Sequence, residues 1–208
     1  MSKGVLVVVS GFSGVGKGTI MKGLMAKYDN YALSVSATTR DPRPGEENGR
    51  EYFFRTTEEF EEMIRQDQLI EYAKYVKNYY GTPRPYVEKH LSQGTDVILE
   101  IEIQGARQIR EKFPEAVLVF VAPPSMAVLK ERLVGRGTET QEVIDQRLAR
   151  AAQEAEGADE YDYILVNDDL DEAVERLHRI IQSEHFVMNR NLDFIHTIQK
   201  EAAELVKK

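Results

Sequence analysis

The sequence contains no cysteine. That excludes a disulfide framework, a thiolate nucleophile and a zinc–thiolate site. It fits a reducing compartment, and a cytoplasmic location is expected. Long apolar runs are also missing. The run near the start, Val5 to Val9, is too short for a signal-peptide core, and no stretch is long enough to span a bilayer. No membrane partner is therefore expected. Histidine is scarce: His90, His178, His185 and His196 fall in no motif and read as surface or packing residues. There is no basic tract, and the net charge is −8, which argues against binding a nucleic-acid polymer. An anionic small molecule stays within reach wherever a few Arg, Lys and backbone N–H groups converge.

What is present is a set of short apolar runs separated by helical stretches. The runs are Val5 to Val9, Val97 to Leu99 with Ile101, Val117 to Val121, and Tyr163 to Val166, with a weaker one from Ala32 to Ser36. Continuous rather than alternating apolar strands suggest burial on both faces, as in a parallel sheet. Helices are expected over Lys17 to Tyr28, and after Ser125, which would cap a helix carrying Met126, Val128, Leu129 and Leu133. The alternation predicts an α/β fold with right-handed crossovers. Leu170, Val174, Leu177 and Ile181 fall at helical spacing and should pack on the sheet. The tail positions Phe194, Ile198, Ala202 and Leu205 continue a narrow apolar stripe, with either the core or a second copy of the chain as its cover.

Two stretches break the pattern. From Thr38 to about Pro85 the chain is rich in Arg, Tyr, Glu and turn residues, with a capped helix over Glu58 to Gln66 and β-prone pieces at Tyr52 to Phe54 and Ile70 to Tyr75. It reads as a small insertion with its own sheet. Val134 to Gly157, with several Arg and one polar helix, reads as an exposed arm or lid. The organisation expected is a discontinuous core (1–37, 86–133, 158–208), an insertion (38–85) and a lid (134–157).

Between the first strand and the first helix lies Gly11-Phe12-Ser13-Gly14-Val15-Gly16-Lys17, which has the Walker A spacing in its required context. The glycines let the backbone turn and aim N–H groups at phosphate oxygens, and the helix N-terminus adds positive partial charge. Lys17 can reach the β- and γ-phosphates. The next residue is Gly18 rather than Ser or Thr, so the available hydroxyl is that of Thr19. Such a loop predicts nucleotide binding and leaves the reaction open.

The reaction comes from a resemblance. Ser36-Ala37-Thr38-Thr39-Arg40-Asp41-Pro42-Arg43-Pro44-Gly45-Glu46 and Gly49-Arg50-Glu51-Tyr52-Phe53-Phe54 resemble the guanylate kinase signature. So do Ile70-Glu71-Tyr72, Asn78-Tyr79-Tyr80-Gly81-Thr82, Glu100-Ile101-Glu102-Ile103-Gln104-Gly105, Arg132-Leu133 through Glu139, and Val166-Asn167-Asp168-Asp169-Leu170. The matches run in family order from Gly4 to about Gln182. The resemblance implies a P-loop NTPase-type sheet with a GMP-binding insertion and an Arg-bearing lid. It implies transfer of the terminal phosphoryl group of ATP, with Mg²⁺, to GMP and dGMP, in purine nucleotide metabolism and GMP recycling.

The same residues make chemical sense on their own. Arg40 and Arg43, close together at a Pro-rigidified turn, can clamp a phosphate dianion, with Tyr52 and Tyr80 as hydroxyl donors. Guanine offers N1–H and N2–H₂ donors that one carboxylate, Glu71, can accept together. Ser36 or Thr82 can donate to guanine O6. Adenine would leave that carboxylate badly paired. Glu100 and Glu102, spaced i and i+2 at a strand end, share a face. Relatives often carry Asp there. One of the pair suits Mg²⁺. Glu102, with Thr19, is assigned to the metal, and Glu100 to GMP. The resemblance also implies that Arg132, Arg136 and Arg147 stabilise the transferring phosphoryl group and that Asn167 lies near the adenine of ATP. Three rivals carry less of the sequence. They are a kinase for another monophosphate, a guanylate-kinase-like binding module and a purely structural P-loop fold.

Overall fold

The computed structural model describes residues 3–75, 77–135 and 141–206. In chain order its elements are β1 (Leu6–Gly11), α1 (Lys17–Lys27), β2 (Tyr31–Leu33), β3 (Ala37–Thr38), β4 (Phe53–Phe54) and α2 (Thr57–Arg65). There follow β5 (Leu69–Tyr75), β6 (Asn78–Pro83), α3 (Arg84–Ser92), β7 (Asp96–Glu100), α4 (Ile103–Lys112) and β8 (Val117–Ala122). The last are α5 (Met126–Gly135), α6 (Gln141–Ala155), β9 (Tyr163–Val166), α7 (Leu170–Glu184) and α8 (Leu192–Val206).

The four strong apolar runs and the weak one become a single sheet in the order β2-β7-β1-β8-β9, parallel throughout. Alternation explains why the runs are continuous. Val5, Val7 and Val9 face one layer with Ile20, Met21 and Leu24 of α1, Leu129 and Leu133 of α5, and Val174, Leu177 and Ile181 of α7. Leu6 and Val8 face the other layer with Val87 and Leu91 of α3 and Ala106 and Ile109 of α4. Each such aliphatic side chain contributes about 1.5–3 kcal/mol on burial. At the C-terminal end of β7 the burial stops at Glu100, so the strand delivers a carboxylate to the edge of the core.

The second sheet runs β4-β3-β6-β5 and has a small core of its own, Ala37, Phe60 and Leu69. Helix α2 starts where Thr56 and Glu59 form a reciprocal capping box. The outer edge of β5 is closed by side chains of α4. The Tyr72 amide donates to Gln108 Oε1 (3.2 Å), and Gln108 Nε2 donates to the Tyr72 carbonyl (2.7 Å). A side-chain amide thus stands in for a neighbouring strand.

Several expectations need correction. Strand β2 ends at Leu33, short of Ser36, because the chain leaves the main sheet there to enter β3. Met126 and Leu170 are exposed, since the buried stripes of α5 and α7 begin one turn later. The stretch expected as an exposed arm packs more closely than that: Ile144 and Ala151 of α6 are buried in the main core. Helices α3 and α4 had no counterpart in the sequence reading. Helix α8 buries no residue, and Phe194, Ile198 and Leu205 are exposed. Among the described residues no helix is long and apolar enough to cross a membrane.

Candidate active site

Between β1 and α1 the backbone reverses through Gly14 and Gly16, with φ of +89° and +98°, a region open to glycine and strained for other residues. At Gly16 there is a second reason for glycine: a Cβ would sit 2.7 Å from Asn167 Nδ2. Helix α1 then begins without a side-chain cap, leaving its positive end facing a cavity of about 310 Å³. Gly14, Gly16, Lys17, Gly18, Thr19, Lys22 and Glu100 line it. The Lys17 ammonium donates to the carbonyls of Gly11 (2.6 Å) and Phe12 (3.3 Å). Phe12 and Val15 are buried in the core, Phe12 edge-on to Phe120, so the loop is anchored by its apolar members.

The loop is braced from behind. Asn167 donates from Nδ2 to the Val15 carbonyl (2.8 Å) and is itself buried. Arg132 donates to the carbonyls of Asn167 (2.8 Å) and Asp168 (3.3 Å). From α6, Arg147 Nη1 donates to Ser13 Oγ (3.1 Å) and Glu154 accepts the Ser13 N–H (3.1 Å). Arg136 lies outside the described residues.

A second cavity, about 450 Å³, opens between the two sheets. Ser36, Tyr52, Glu71, Tyr80 and Glu100 all line it, bringing together positions spread over 65 residues of sequence. Glu71 is 4% exposed. Burial pushes its carboxyl up to about 7, opposed by hydrogen bonds from the Thr82 side chain and backbone. Thr82 Oγ1 donates to Glu71 Oε1 (2.6 Å). Its single proton is therefore spent on Glu71, and Ser36 is a hydroxyl on the cavity wall. On the opposite side Gly105 of α4 lies so close that a Cβ would be 2.6 Å from Glu71 Oε2.

The arginines of the turn take different places. The Arg40 guanidinium lies over the rings of Tyr52 (5.4 Å) and Phe54 (5.7 Å) and is held by both oxygens of Glu46, at 3.0 and 2.9 Å. Tyr52 in turn packs edge-on against Tyr80. Arg40 thus stands at the cavity rim through the aromatic pair. Arg43 is exposed, and its backbone N–H donates to Glu46 Oε2 (2.8 Å).

Lys17 and Glu100 line both cavities. The Glu100 carboxylate faces open space, yet the cavity walls strip its solvent. That desolvation raises its pKa, while the Lys17 charge works against the rise. Glu102 lies past the end of β7, at the N-cap of α4; it lines only the second cavity and pairs with Arg150 (2.9 Å). At the phosphate loop, then, Thr19 is accompanied by Glu100 rather than Glu102. Among the described residues no three acidic or His side chains form a metal cluster. One hydroxyl and one carboxylate suit a hard cation that takes its remaining ligands from phosphates and water, as Mg²⁺ does.

The family model described as Guanylate kinase matches residues 3–184. The chain belongs to the guanylate kinase family. A guanylate kinase of Streptococcus thermophilus (strain CNRZ 1066) is 54% identical over 189 residues, 90% of each chain. One from Streptococcus mutans is 52% identical over 204 residues, 98% of this chain and 97% of that one. A crystal structure of guanylate kinase from Anaplasma phagocytophilum superposes with a TM-score of 0.76 at 33% identity, covering 93% of this chain and 94% of that one. Membership in the guanylate kinase family makes the protein a nucleotide-binding transferase of the kinase class.

Sequence reasoning missed several residues of this site. Glu46, which engages Arg40, stood inside the quoted signature but was read only as part of the motif. Ser34, whose buried hydroxyl has no hydrogen-bond partner among the described residues, lines the second cavity two positions before Ser36. Lys22 lies one helical turn after Gly18 and could have been found by that spacing. Arg150 and Glu154 gave no signal, because a polar helix ordinarily reads as a solvated face.

Proposed function

We propose that the chain transfers the γ-phosphoryl group of ATP to GMP, and also to dGMP, in one in-line step. The observation that carries this is the pair Lys17 and Glu100 on the wall common to both cavities. It brings a phosphate-binding loop and a guanine-sized, carboxylate-bearing pocket to one point.

In this reading ATP lies with its phosphates over Gly14 to Thr19, in the field of the α1 N-terminus. Asn167 braces the loop through Val15 and lies near the adenine of ATP. GMP fills the second cavity. The ionised Glu71 accepts from guanine N1–H and N2–H₂, Ser36 donates to O6, and Thr82 orients Glu71. Arg40, Arg43, Tyr52 and Tyr80 hold the GMP phosphate, with Arg40 exchanging part of its contact with Glu46 for the ligand. Thr19 and Glu100 would hold Mg²⁺, which supplies charge neutralisation on the β- and γ-phosphates. A GMP phosphate oxygen attacks the γ-phosphorus and the bond to the β–γ bridging oxygen breaks, leaving ADP. Lys17, Arg132, Arg136 and Arg147 stabilise the charge that builds on the transferring group. The insertion (38–85) and the lid (134–157) close over the substrates, which keeps water from competing as acceptor. The protein acts in the cytoplasm and pairs with a second copy through the apolar stripe of α8.

A coupled ADP-release assay with ATP–Mg²⁺ tests this against GMP, dGMP, AMP, UMP and dTMP, with Lys17→Ala as the blank. Turnover with the guanine nucleotides alone, lost in the variant, is expected. Turnover with another acceptor overturns the guanine site, and no turnover from folded protein overturns the enzyme.

A further inference from the structure

One connected set of side chains joins helix α6 to the wall of the second cavity and to the phosphate loop. Arg150 donates from Nη2 to Glu102 Oε2 (2.9 Å), on the wall of the second cavity, and from Nε to Glu154 Oε1 (3.0 Å). Glu154 accepts, on its other oxygen, the backbone N–H of Ser13 in the phosphate loop (3.1 Å). Arg147, on the same helix, holds the Ser13 hydroxyl. Ala151 between these groups is fully buried, which anchors this part of the helix on the core. The Arg150–Glu154 spacing of i and i+4 stacks the pair on one face. Glu154 is 7% exposed. Burial pushes its carboxyl up, and the Ser13 N–H and the Arg150 charge oppose that, with the Glu102 charge adding to the rise.

We propose that Arg150 and Glu154 are positioning residues that couple the two nucleotide sites, so that filling one cavity strengthens binding in the other. The proposal rests on the reading of the cavities given above. Its logic is competition for shared hydrogen bonds. A nucleotide in the second cavity offers N–H and O–H donors to Glu102 and draws that carboxylate away from Arg150. Arg150 then turns fully to Glu154 and neutralises it further. A better-neutralised Glu154 is a weaker acceptor, so the Ser13 N–H is released to a phosphate oxygen of the donor. The reverse path is equivalent. A triphosphate that takes the Ser13 N–H leaves Glu154 to Arg150, and Glu102 is freed for the acceptor. Linkage makes the two effects equal in size.

Calorimetric titration of the full chain tests this with a non-hydrolysable ATP analogue and Mg²⁺, and with GMP, each alone and then in the presence of the other. In the wild type each ligand is expected to tighten the other about fivefold or more, by one common factor. In Arg150→Met and in the isosteric Glu154→Gln that factor falls to one or below, because two anionic ligands repel once the relay is cut. With Glu102 no longer held by Arg150, GMP alone is expected to bind Arg150→Met at least as tightly as the wild type. Arg150→Lys, which keeps the charge and loses the planar fork, is expected to retain part of the coupling. Melting curves establish that each variant is folded. Glu154→Gln, which conserves volume and an acceptor for Ser13, serves if Arg150→Met does not fold. A factor of one in the wild type, or a wild-type factor in a folded Glu154→Gln, overturns the coupling. Absence of GMP binding to the wild type instead overturns the assignment of the second cavity.

Discussion

Glu71 concentrates the conflict between recognition and stability in one side chain. Its ordinary value of 4.5 rises to about 7 in the folded chain, so the folded state holds the proton more tightly than the unfolded one. The stability from this group is therefore complete below about 4.5 and is lost as pH rises through about 7. At about 1.4 kcal/mol per unit the loss is at most about 3 kcal/mol. Glu71→Gln, which can keep the Thr82 hydrogen bond, is expected to melt several degrees above the parent at pH 8 and together with it near pH 4. The same variant should lose GMP turnover by about a hundredfold or more, without gaining AMP. Since only the ionised carboxylate accepts from guanine, KM for GMP is expected to climb between pH 8 and pH 6 in the parent, and initial-rate profiles check it. Gly105→Ala probes the same atom from the other side. Its Cβ would force Glu71 Oε2 away from its place, so KM for GMP should rise roughly ten- to a hundredfold while KM for ATP holds.

At the scale of the element, the phosphate loop depends on a strand end remote in sequence. Asn167, just past β9, is the donor to Val15, and Asn167→Ala leaves a loop carbonyl without it. The expected cost is about 1–3 kcal/mol in stability, together with a raised KM for ATP and an unchanged KM for GMP. That brace was not legible in sequence: Asn167 was assigned to adenine through the family pattern, and nothing local says which way an amide points. The central strands β7, β1 and β8 were legible, because burial on both faces writes an unbroken apolar run; the edge strands carry a weaker record, with Ile164 of β9 exposed and β2 only three residues long. Helices α3 and α4 were not legible. Val87 and Leu91 are the whole buried face of α3, and α4 spends a buried position in its first turn on Gly105. Its reason is the approach of Glu71, a contact between elements that periodicity does not record. Likewise Ser36, Glu71 and Tyr80 could be named as one site through the resemblance to the family signature. The use of Thr82 and the place of Glu100 on the walls of both cavities, with Glu102 on one alone, depended on directions that only the folded chain fixes.

For the whole molecule, α8 stands apart: it buries nothing, and a 15-residue helix is marginal alone in water. Removing 192–208 is expected to change stability by less than about 1 kcal/mol, a shift in Tm of roughly 2–4 °C or less. Light scattering should give a dimer for the full chain and a monomer after truncation. A dimer that survives truncation sends the interface elsewhere. The partition shared by the two cavities has a further consequence. Because Lys17 and Glu100 line both, the two cavities are separated at that point by no more than these side chains. One molecule carrying adenosine and guanosine at the two ends of a phosphate chain could occupy both at once. Its second end would bind at the effective concentration set by the tether, in the millimolar range for short flexible linkers. The architecture therefore favours a bivalent inhibitor over any ligand confined to a single cavity.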